Sequence, residues 1–226
     1  MTNKKKKIIT NIVMVLLAII GLVLIFNEQI KSFTVGHMQE NALSQPIKKS
    51  HPKKGQFDAN KVEEVNPEDI AKAAMKGPKD AIGKIAIPSV GLRLPIFYGM
   101  ATNNMLRGAC TMRSDEQIGM QGNYCLAGHH MMDERILFGP LQNVKQGNYV
   151  YLTDGKNVYT YQVILTEIVD EYQTFWINNI PNKKLITLIT CASGREGETR
   201  RIIIRGELQK VQKANSDNLK KFAACK

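Results

Sequence analysis

Residues 148–169 read NYVYLTDGKNVYTYQVILTEIV, two runs rich in aromatic and β-branched residues on either side of Asp154-Gly155. Such side chains suit the pleated, half-buried surface of a strand. An Asp-Gly element between two runs of this kind is typical of a β-hairpin. The stretch therefore predicts strands near 148–153 and 157–169, joined by a tight turn.

Comparable short runs, with turn residues between them, occupy most of the chain from residue 81 onward. Only one short helical turn is expected among them, near residues 136–141. They predict further strands near 82–87, 93–97, 107–111, 123–129, 185–191 and 201–208. Eight strands without alternating helices favour an all-β domain, either an antiparallel barrel or a sandwich.

The N-terminus has the pattern of a membrane anchor. Lys4–Lys7 form a basic run, and residues 8–26 follow without a formal charge. At 1.5 Å per residue this segment spans about 28 Å, close to the thickness of a bilayer core. A cleaved signal peptide is the alternative, but its apolar region is usually shorter. Because basic residues favour the cytoplasmic side, residues 1–7 are predicted to be cytoplasmic, 8–26 transmembrane and the remainder extracellular.

Polar segments interrupted by proline separate this span from the strands. Residues 27–65 show little periodicity and predict an extracellular linker. The order Asn66-Pro67-Glu68-Asp69 is that of a helix start, with a capping residue, a proline and then acids. Residues 66–210 are therefore assigned to the folded domain with an N-terminal helix, and residues 211–226 to a basic tail.

The charge distribution argues against a nucleic-acid partner. The chain has 31 Lys and Arg against 20 Asp and Glu, a net charge of +11. Residues 81–208 contribute only +2, whereas residues 1–80 contribute +5 and residues 209–226 contribute +4. A nucleic-acid-binding domain usually concentrates its basic residues on the folded part.

Residues able to carry out chemistry converge on the ends of two predicted strands. Cys191 closes one, and His129 and His130 close the other. Because alternate residues of a strand share a face, Cys191 groups with Ile189 and His129 with Ala127. If the strands are neighbours, one face carries a thiol and an imidazole, the composition of a Cys–His acyl-transfer site. Ordinary packing at a strand end is the alternative for Cys191.

Two further pairs of residues leave a choice open. Arg200 and Arg201 open the last predicted strand, and either could stabilise negative charge on a reacting oxygen, but alternation lets only one face the site. Cys110 and Cys125 lie on successive predicted strands. They could form a disulfide, or they could be small buried thiols, which is the favoured interpretation.

Three motifs resemble those of the sortase family: Ala127-Gly128-His129, then Thr187-Leu188-Ile189-Thr190-Cys191, then Arg201 followed by Ile-Ile-Ile-Arg-Gly-Glu. The stretch 111–131 and the single N-terminal anchor are similar to those of class A members. The resemblance covers about residues 66–210. It implies an eight-stranded sortase-type β-barrel and a cysteine transpeptidase on the outer face of a Gram-positive membrane. Such enzymes cut Leu-Pro-x-Thr-Gly sorting signals of surface proteins between Thr and Gly, and pass the acyl group to an amine of lipid II or peptidoglycan.

The resemblance also assigns catalytic roles by motif. Cys191 would be the nucleophile and His129 the general acid and base. Arg201 would position substrate and stabilise the oxyanion. Counting back from the Gly-Glu that ends the motif selects Arg201 rather than Arg200.

Substrate-binding residues are implied in the same way. Ala127, Thr187 and Ile189 would form the floor of the peptide groove, and Thr190 would help to form the oxyanion hole. The loop 170–184 would cover the Leu-Pro end of the substrate. For the apolar residues of that loop, packing against the barrel is the alternative.

No metal or other cofactor is expected, although some family members use calcium. The corresponding stretch offers only Asp115 and Glu116, with Glu167, Asp170 and Glu171 at undefined distances. Calcium takes six or more oxygen ligands. Two other functions share the predicted anchor and β-domain: a non-catalytic domain that binds wall peptides, and an extracellular cysteine peptidase that only hydrolyses.

Overall fold

The predicted hairpin is present, with strands at Tyr149–Thr153 and Asn157–Asp170. The Asp154 carboxylate accepts the backbone N–H groups of Lys156 and Asn157 at 2.8 and 2.7 Å. Gly155 has φ +82°, a conformation that glycine adopts without a steric penalty. The local sequence therefore determines this turn.

Eight strands close into one barrel in the computed structural model, which describes residues 3–48, 55–62, 64–78 and 80–223. Neighbouring strands follow the order β1-β2-β3-β4-β7-β8-β6-β5, and β5 pairs with β1 to close the sheet. The all-β barrel is confirmed. Its strands are β1 (Gly83–Ile87), β2 (Leu92–Phe97), β3 (Ala109–Thr111), β4 (Gly122–Ala127), β5 (Tyr149–Thr153), β6 (Asn157–Asp170), β7 (Lys184–Cys191) and β8 (Arg200–Lys213).

The sheet is mixed, which differs from the antiparallel sheet that the sequence predicted. β2 pairs with β3 in parallel, and β4 pairs with β7 in parallel over six residue pairs from Gly122 with Lys184 to Ala127 with Ile189. A parallel pair needs a long crossover connection. Here the β5–β6 hairpin forms part of the crossover between β4 and β7, and strand patterns alone do not reveal that arrangement.

The barrel interior is filled by aliphatic and aromatic side chains from alternate strand positions. Ile85, Leu94, Leu126 and Ile186 are essentially inaccessible to solvent, and so is Phe138 from the connection after β4. Burying each such side chain contributes about 1.5–3 kcal/mol. This core holds the β4, β7 and β8 strand ends in a fixed register.

Two long helices precede the barrel, α1 (Asn3–Ile25) and α2 (Asn27–Ser44). The segment Lys6–Ile25 is long and apolar enough to cross a membrane, and none of it is buried in the protein. The junction is nearly continuous, since Phe26 N–H donates to the Leu22 carbonyl at 3.0 Å and Ile30 N–H donates to the Phe26 carbonyl at 2.9 Å.

The first part of the predicted linker, 27–65, is the ordered helix α2. Val35, Ala42 and Leu43 are almost fully buried against the domain. The Gln39 side-chain oxygen accepts the Leu137 backbone N–H at 2.8 Å. Residues 27–44 are thus part of the folded unit rather than a spacer.

The helix predicted from residue 66 is α3 (Pro67–Lys76). The Asn66 side chain accepts the Asp69 backbone N–H at 2.8 Å, which is the expected cap. α3 buries Ile70 and Ala73 and ends at Gly77, where φ is +67°. A shorter helix, α4 (Thr102–Met105), lies between β2 and β3.

The C-terminal segment also folds onto the barrel, although the sequence predicted a basic tail from residue 211. β8 continues to Lys213, and the short helix α5 (Ser216–Leu219) follows. Phe222 is 2% exposed and packs with Ala86 and Val158. One aromatic side chain within a Lys-rich stretch therefore anchors the tail.

Candidate active site

Strand register brings three predicted residues into one row across β4, β7 and β8. Cys191, the last residue of β7, lies directly opposite Arg201 of β8 in the antiparallel ladder. On the other side, Ala127 pairs with Ile189 in the parallel β4–β7 ladder, and continuing that register by two residues places His129 beside Cys191. Adjacent strands are about 4.8 Å apart. The thiol, the imidazole and the guanidinium therefore belong to neighbouring backbone positions.

The two consecutive histidines have different environments. Both line the cavity that contains Cys191, and they differ in their partners. His130 is 7% exposed, and its Nδ1 lies 2.8 Å from the Cys191 carbonyl oxygen. A carbonyl can only accept, so His130 donates to the backbone of Cys191. Because this bond engages the His130 ring, the geometry favours His129 for proton transfer.

A cavity of about 920 Å³ contains this row. Its lining includes His129, Cys191 and Arg201, together with apolar side chains such as Ile189 and Trp176. A mostly apolar cleft with a few convergent polar groups is the usual form of a ligand site. The cleft is large enough for several residues of an extended peptide.

The protonation states of the two reactive groups follow from burial. Burial raises the pKa of the Cys191 thiol, the Arg201 cation lowers it, and Glu198, Glu171 and Glu64 raise it further. Burial lowers the pKa of His129 to about 4. Both shifts favour neutral forms, so we expect a thiol and a neutral imidazole in the resting site at pH 7. Neutral imidazole is the form that can accept the thiol proton.

Arg201 is held by three acceptors. Its guanidinium donates to the Glu198 carbonyl at 2.6 Å and the Arg200 carbonyl at 3.1 Å, and it pairs with the Glu171 carboxylate at 2.5 Å. Arg200 instead pairs with the Glu198 carboxylate at 3.1 Å and is more exposed. Only Arg201 of the two lines the cavity.

Comparison with known proteins identifies the family. The family model described as the sortase domain matches residues 85–209. The chain is 42% identical over 214 residues to sortase A of Listeria monocytogenes serovar 1/2a (strain ATCC BAA-679 / EGD-e), covering 92% of this chain and 95% of that protein. The chain belongs to the sortase family.

Other similarities place this sortase in class A. Sortase A of Streptococcus agalactiae serotype III (strain NEM316) is 35% identical over 226 residues, covering 93% of this chain and 91% of that protein. The crystal structure of Listeria monocytogenes sortase A has a TM-score of 0.61 at 46% identity, covering 65% of this chain and 99% of that chain. The protein is a class A sortase, a cysteine transpeptidase that anchors surface proteins.

The predicted substrate-binding residues of the sortase fall into two groups. Ala127, Ile189 and Thr190 line the cavity, and the Thr190 hydroxyl donates to the Gly128 carbonyl at 2.8 Å. The Thr190 hydroxyl therefore donates its proton to the backbone next to His129. Thr187 is fully buried, and it is not among the described residues that line the cavity. The structure therefore does not bring Thr187 into the groove floor.

The loop between β6 and β7 has one buried and one exposed aromatic side chain. Trp176 is 8% exposed and packs with Val169 and Ile203, as the packing interpretation expects. Phe175 is 56% exposed, and its ring lies 5.0 Å from that of Trp176. One aromatic side chain is therefore part of the cleft wall, while its neighbour remains open to solvent.

The other two described cysteines of the sortase are buried and free. Cys110 and Cys125 are each inaccessible to solvent and form no disulfide. Of the two acids considered for calcium, Asp115 pairs with Arg113 at 3.0 Å. Glu116 accepts three backbone N–H groups, from Met112 and Arg113 on one oxygen and from Cys125 on the other. Both carboxylates thus already have partners within the protein.

Sequence reasoning missed several residues around the sortase cleft. Glu28 and Lys31 of α2 line the cavity, as do residues 59–62 and 64–65 in part. Glu64 accepts the Gly197 backbone N–H at 2.8 Å, which joins the segment before α3 to the β7–β8 loop. Glu171 pairs with Arg201, whereas the sequence alone indicates it only as a possible metal ligand. Contacts between residues this distant in the chain leave no local sequence signal.

Proposed function

We propose that this sortase cleaves Leu-Pro-x-Thr-Gly sorting signals between Thr and Gly and joins the new carboxyl end to an amine of lipid II or peptidoglycan. The observation that supports the proposal is the row of His129, Cys191 and Arg201 across three adjacent strands within one cleft. A nucleophile, a proton-transfer group and a fixed cation are the three parts that acyl transfer needs.

The first half-reaction forms a thioester. His129 accepts the Cys191 proton, and the thiolate attacks the Thr carbonyl carbon. The carbonyl oxygen becomes negative beside the Arg201 guanidinium, which stabilises it. When the tetrahedral intermediate collapses, the Thr–Gly bond breaks and His129 donates its proton to the departing Gly amine.

The second half-reaction resolves the thioester with an amine. His129 removes a proton from the attacking amine, and Arg201 again faces the negative oxygen. Collapse breaks the C–S bond, and His129 returns the proton to Cys191. The product is a new amide, and the enzyme regains its neutral thiol and neutral imidazole.

The proposed location is the cell membrane, with α1 as a single span, the N-terminus in the cytoplasm and the catalytic domain outside. The apolar segment Lys6–Ile25 supports the span. The basic residues that precede it support the orientation. Substrates that emerge from the membrane and lipid-linked acceptors would then be close to the cleft.

A ligation assay tests the reaction. A chain beginning at residue 27 is incubated with a Leu-Pro-x-Thr-Gly peptide and an oligoglycine amine, and the products are weighed by mass spectrometry. A ligated product is expected, at the same rate in a chelating buffer and with added calcium. Acid product alone would indicate a peptidase, and unchanged peptide would indicate a binding domain. Cys191→Ala should be inactive.

Paired substitutions test the role of Arg201. Loss of an oxyanion-stabilising group typically lowers kcat by about 10²–10³. Arg201→Ala should therefore lose activity by that factor, while Arg200→Ala, which removes an exposed neighbour, should stay within about threefold. The reverse result would assign the oxyanion role to Arg200.

A further inference from the structure

Four consecutive residues of the β6–β7 loop, 176–179, are fixed by side chains from other parts of the barrel. Arg205 of β8 donates to the Trp176 carbonyl at 2.6 Å. Arg113, from the connection between β3 and β4, donates to the Ile177 carbonyl at 2.9 Å. Asn123 of β4 donates to the Trp176 and Asn178 carbonyls at 2.9 and 3.2 Å. Three successive loop carbonyls thus each accept a side-chain hydrogen bond.

The same donors are connected to one another. Arg205 Nε donates to the Thr187 hydroxyl at 3.2 Å, and that hydroxyl donates to the Asn123 side-chain oxygen at 2.8 Å. The Asn179 side-chain oxygen accepts from the Asn123 backbone N–H at 2.9 Å and from Arg113 at 3.1 Å. Connected hydrogen bonds in a partly buried setting help to hold their members in one arrangement. Thr187, assigned to the groove floor from sequence, is the centre of this network.

Arg205 also holds the Trp176 side chain. Its guanidinium carbon lies 4.8 Å from the centre of the Trp176 ring, within the range of a cation–π interaction. No carboxylate within the described ranges forms a salt bridge with Arg205, so its hydrogen-bonding capacity is directed to the loop and to Thr187. The Trp176 indole N–H is buried without a partner among these residues. Burial of an unpaired donor opposes this loop conformation. The side-chain hydrogen bonds to the carbonyls of residues 176–178 offset that free-energy cost.

This network lies beside the cleft, and it reaches the cleft through Trp176 and Ile177, which line it. Thr187 precedes Cys191 by four residues on β7, which corresponds to about 13 Å along a strand. An extended peptide bound beside β7 covers the same distance with about four residues. The Trp176 ring covers part of this distance: it lies beside Arg205, the ladder partner of Thr187, and it packs against Ile203, the ladder partner of Ile189.

We infer that Arg205, Arg113 and Asn123 are positioning residues that keep the Trp176 wall of the cleft preformed for the peptide residues about two to four positions before the scissile bond. The inference rests on the proposed function for its substrate. The part of the inference that concerns the structure, namely that these residues hold the loop in place, can be tested without substrate turnover. Arg205 acts through Trp176 and the loop backbone and does not touch the reacting atoms.

The test uses Trp176, the only tryptophan of the chain, as a reporter. In Arg205→Met, which keeps an apolar stem but removes the guanidinium, Trp176 emission should shift to longer wavelength and acrylamide quenching should increase at least twofold. KM for the sorting peptide should rise about 5- to 20-fold while kcat stays within threefold. Arg205→Lys should recover little, because one ammonium cannot contact the carbonyl, the hydroxyl and the ring together.

Two controls make the result decisive. Lys210→Met removes an exposed basic residue from the same strand and should change neither fluorescence nor KM. Arg113→Met releases the loop from the opposite side and should give the same changes in quenching and KM. It therefore serves as the test if Arg205→Met folds poorly. Unchanged Trp176 quenching in both folded variants would overturn the inference, as would increased quenching with unchanged KM. If the wild-type chain failed to cleave the peptide, the proposed function would fall, and quenching would still decide whether the loop is held in this way.

Discussion

At the scale of single residues, the resting charge of Cys191 determines how the thiol reacts. Burial raises its pKa, and the pKa of His129 is lowered to about 4, so His129 stays neutral above that pH and cannot stabilise a thiolate at rest. We expect the rate of Cys191 alkylation by iodoacetamide to keep rising from pH 6 to pH 9. Peptide mass mapping of the labelled site would follow that rate.

The alternative is a preformed thiolate–imidazolium pair. It would give a plateau in the alkylation rate near neutral pH, and that outcome would contradict the neutral resting state. Cys110 and Cys125 provide internal controls, because both are buried and burial raises the pKa of both thiols. Neither should be labelled in the folded protein.

Glu116 couples stability to pH. Burial raises its pKa to about 7 from an ordinary value of 4.5, against the opposing effect of three backbone N–H donors. A carboxyl group with a raised pKa stabilises the fold below pH 4.5, and this contribution is lost as the pH rises through 7. At 1.36 kcal/mol per pKa unit, the loss is on the order of 3 kcal/mol.

Substitution of Glu116 by Gln should remove this contribution. The free energy of unfolding, measured by urea denaturation at pH 5 and pH 8, should fall less with pH in Glu116→Gln than in the wild type. Asp115→Asn is the neighbouring control, since Asp115 pairs with Arg113 near the surface. Parallel pH dependences in the wild type and Glu116→Gln would show that Glu116 is ionised throughout this range.

The positions of Cys191 and His129 at two strand ends could be predicted from sequence because they depend on local pattern. Cys191 and His129 each follow a clear strand, and two-residue alternation gives the side each one faces. Glu171 and Arg205 were not recognised as partners of the site. Glu171 meets Arg201 across 30 positions, and Arg205 reaches Trp176 across 29. Such pairings exist only once the barrel has closed.

At the scale of elements, strands were easier to predict than helix α2. The strand prediction succeeded because β-branched runs end at clear turn residues such as Gly155. α2 was missed because its buried face mixes apolar residues with Ser32 and Gln39. A face that is partly polar lacks the apolar periodicity by which an amphipathic helix is recognised.

The polar contact of α2 has a measurable role. Gln39 satisfies the buried N–H of Leu137, a residue with φ +49°, in the segment that follows His129. Gln39→Ala would leave that donor unpaired, at a cost of about 1–3 kcal/mol. We expect a matching loss in the free energy of unfolding, whereas Glu40→Ala, which alters an exposed neighbour, should cost less than about 0.5 kcal/mol. Equal losses of unfolding free energy in Gln39→Ala and Glu40→Ala would show that the Gln39–Leu137 hydrogen bond has no specific role.

At the scale of the whole molecule, the catalytic unit begins at α2. A fragment from residue 27 keeps the buried contacts of Val35, Met38 and Leu43, while a fragment from residue 66 loses them. Burial of such side chains is worth about 1.5–3 kcal/mol each, so the loss is on the order of 5 kcal/mol. We expect the shorter fragment to melt at a temperature lower by roughly 10 °C or more.

Calorimetry of both fragments, with peptide ligation as a second readout, would measure this difference. A third fragment that begins at residue 45 separates the contribution of α2 from that of residues 45–65. If the fragments from residues 27 and 66 melted together, α2 would be an accessory rather than a part of the folded unit.

If α1 spans the membrane as proposed, the hydrogen bonds that carry α1 into α2 across Phe26 also limit where the enzyme can work. A domain on a flexible tether explores a hemisphere above its anchor, but a domain on a continuous helix stays at one height and turns mainly about one axis. With α1 in the membrane as proposed, the cleft would sweep a thin layer just above the lipid. A sorting-signal substrate and an amine acceptor confined to that layer would meet the enzyme by diffusion in two dimensions. Confinement raises their effective concentration without any new binding contact.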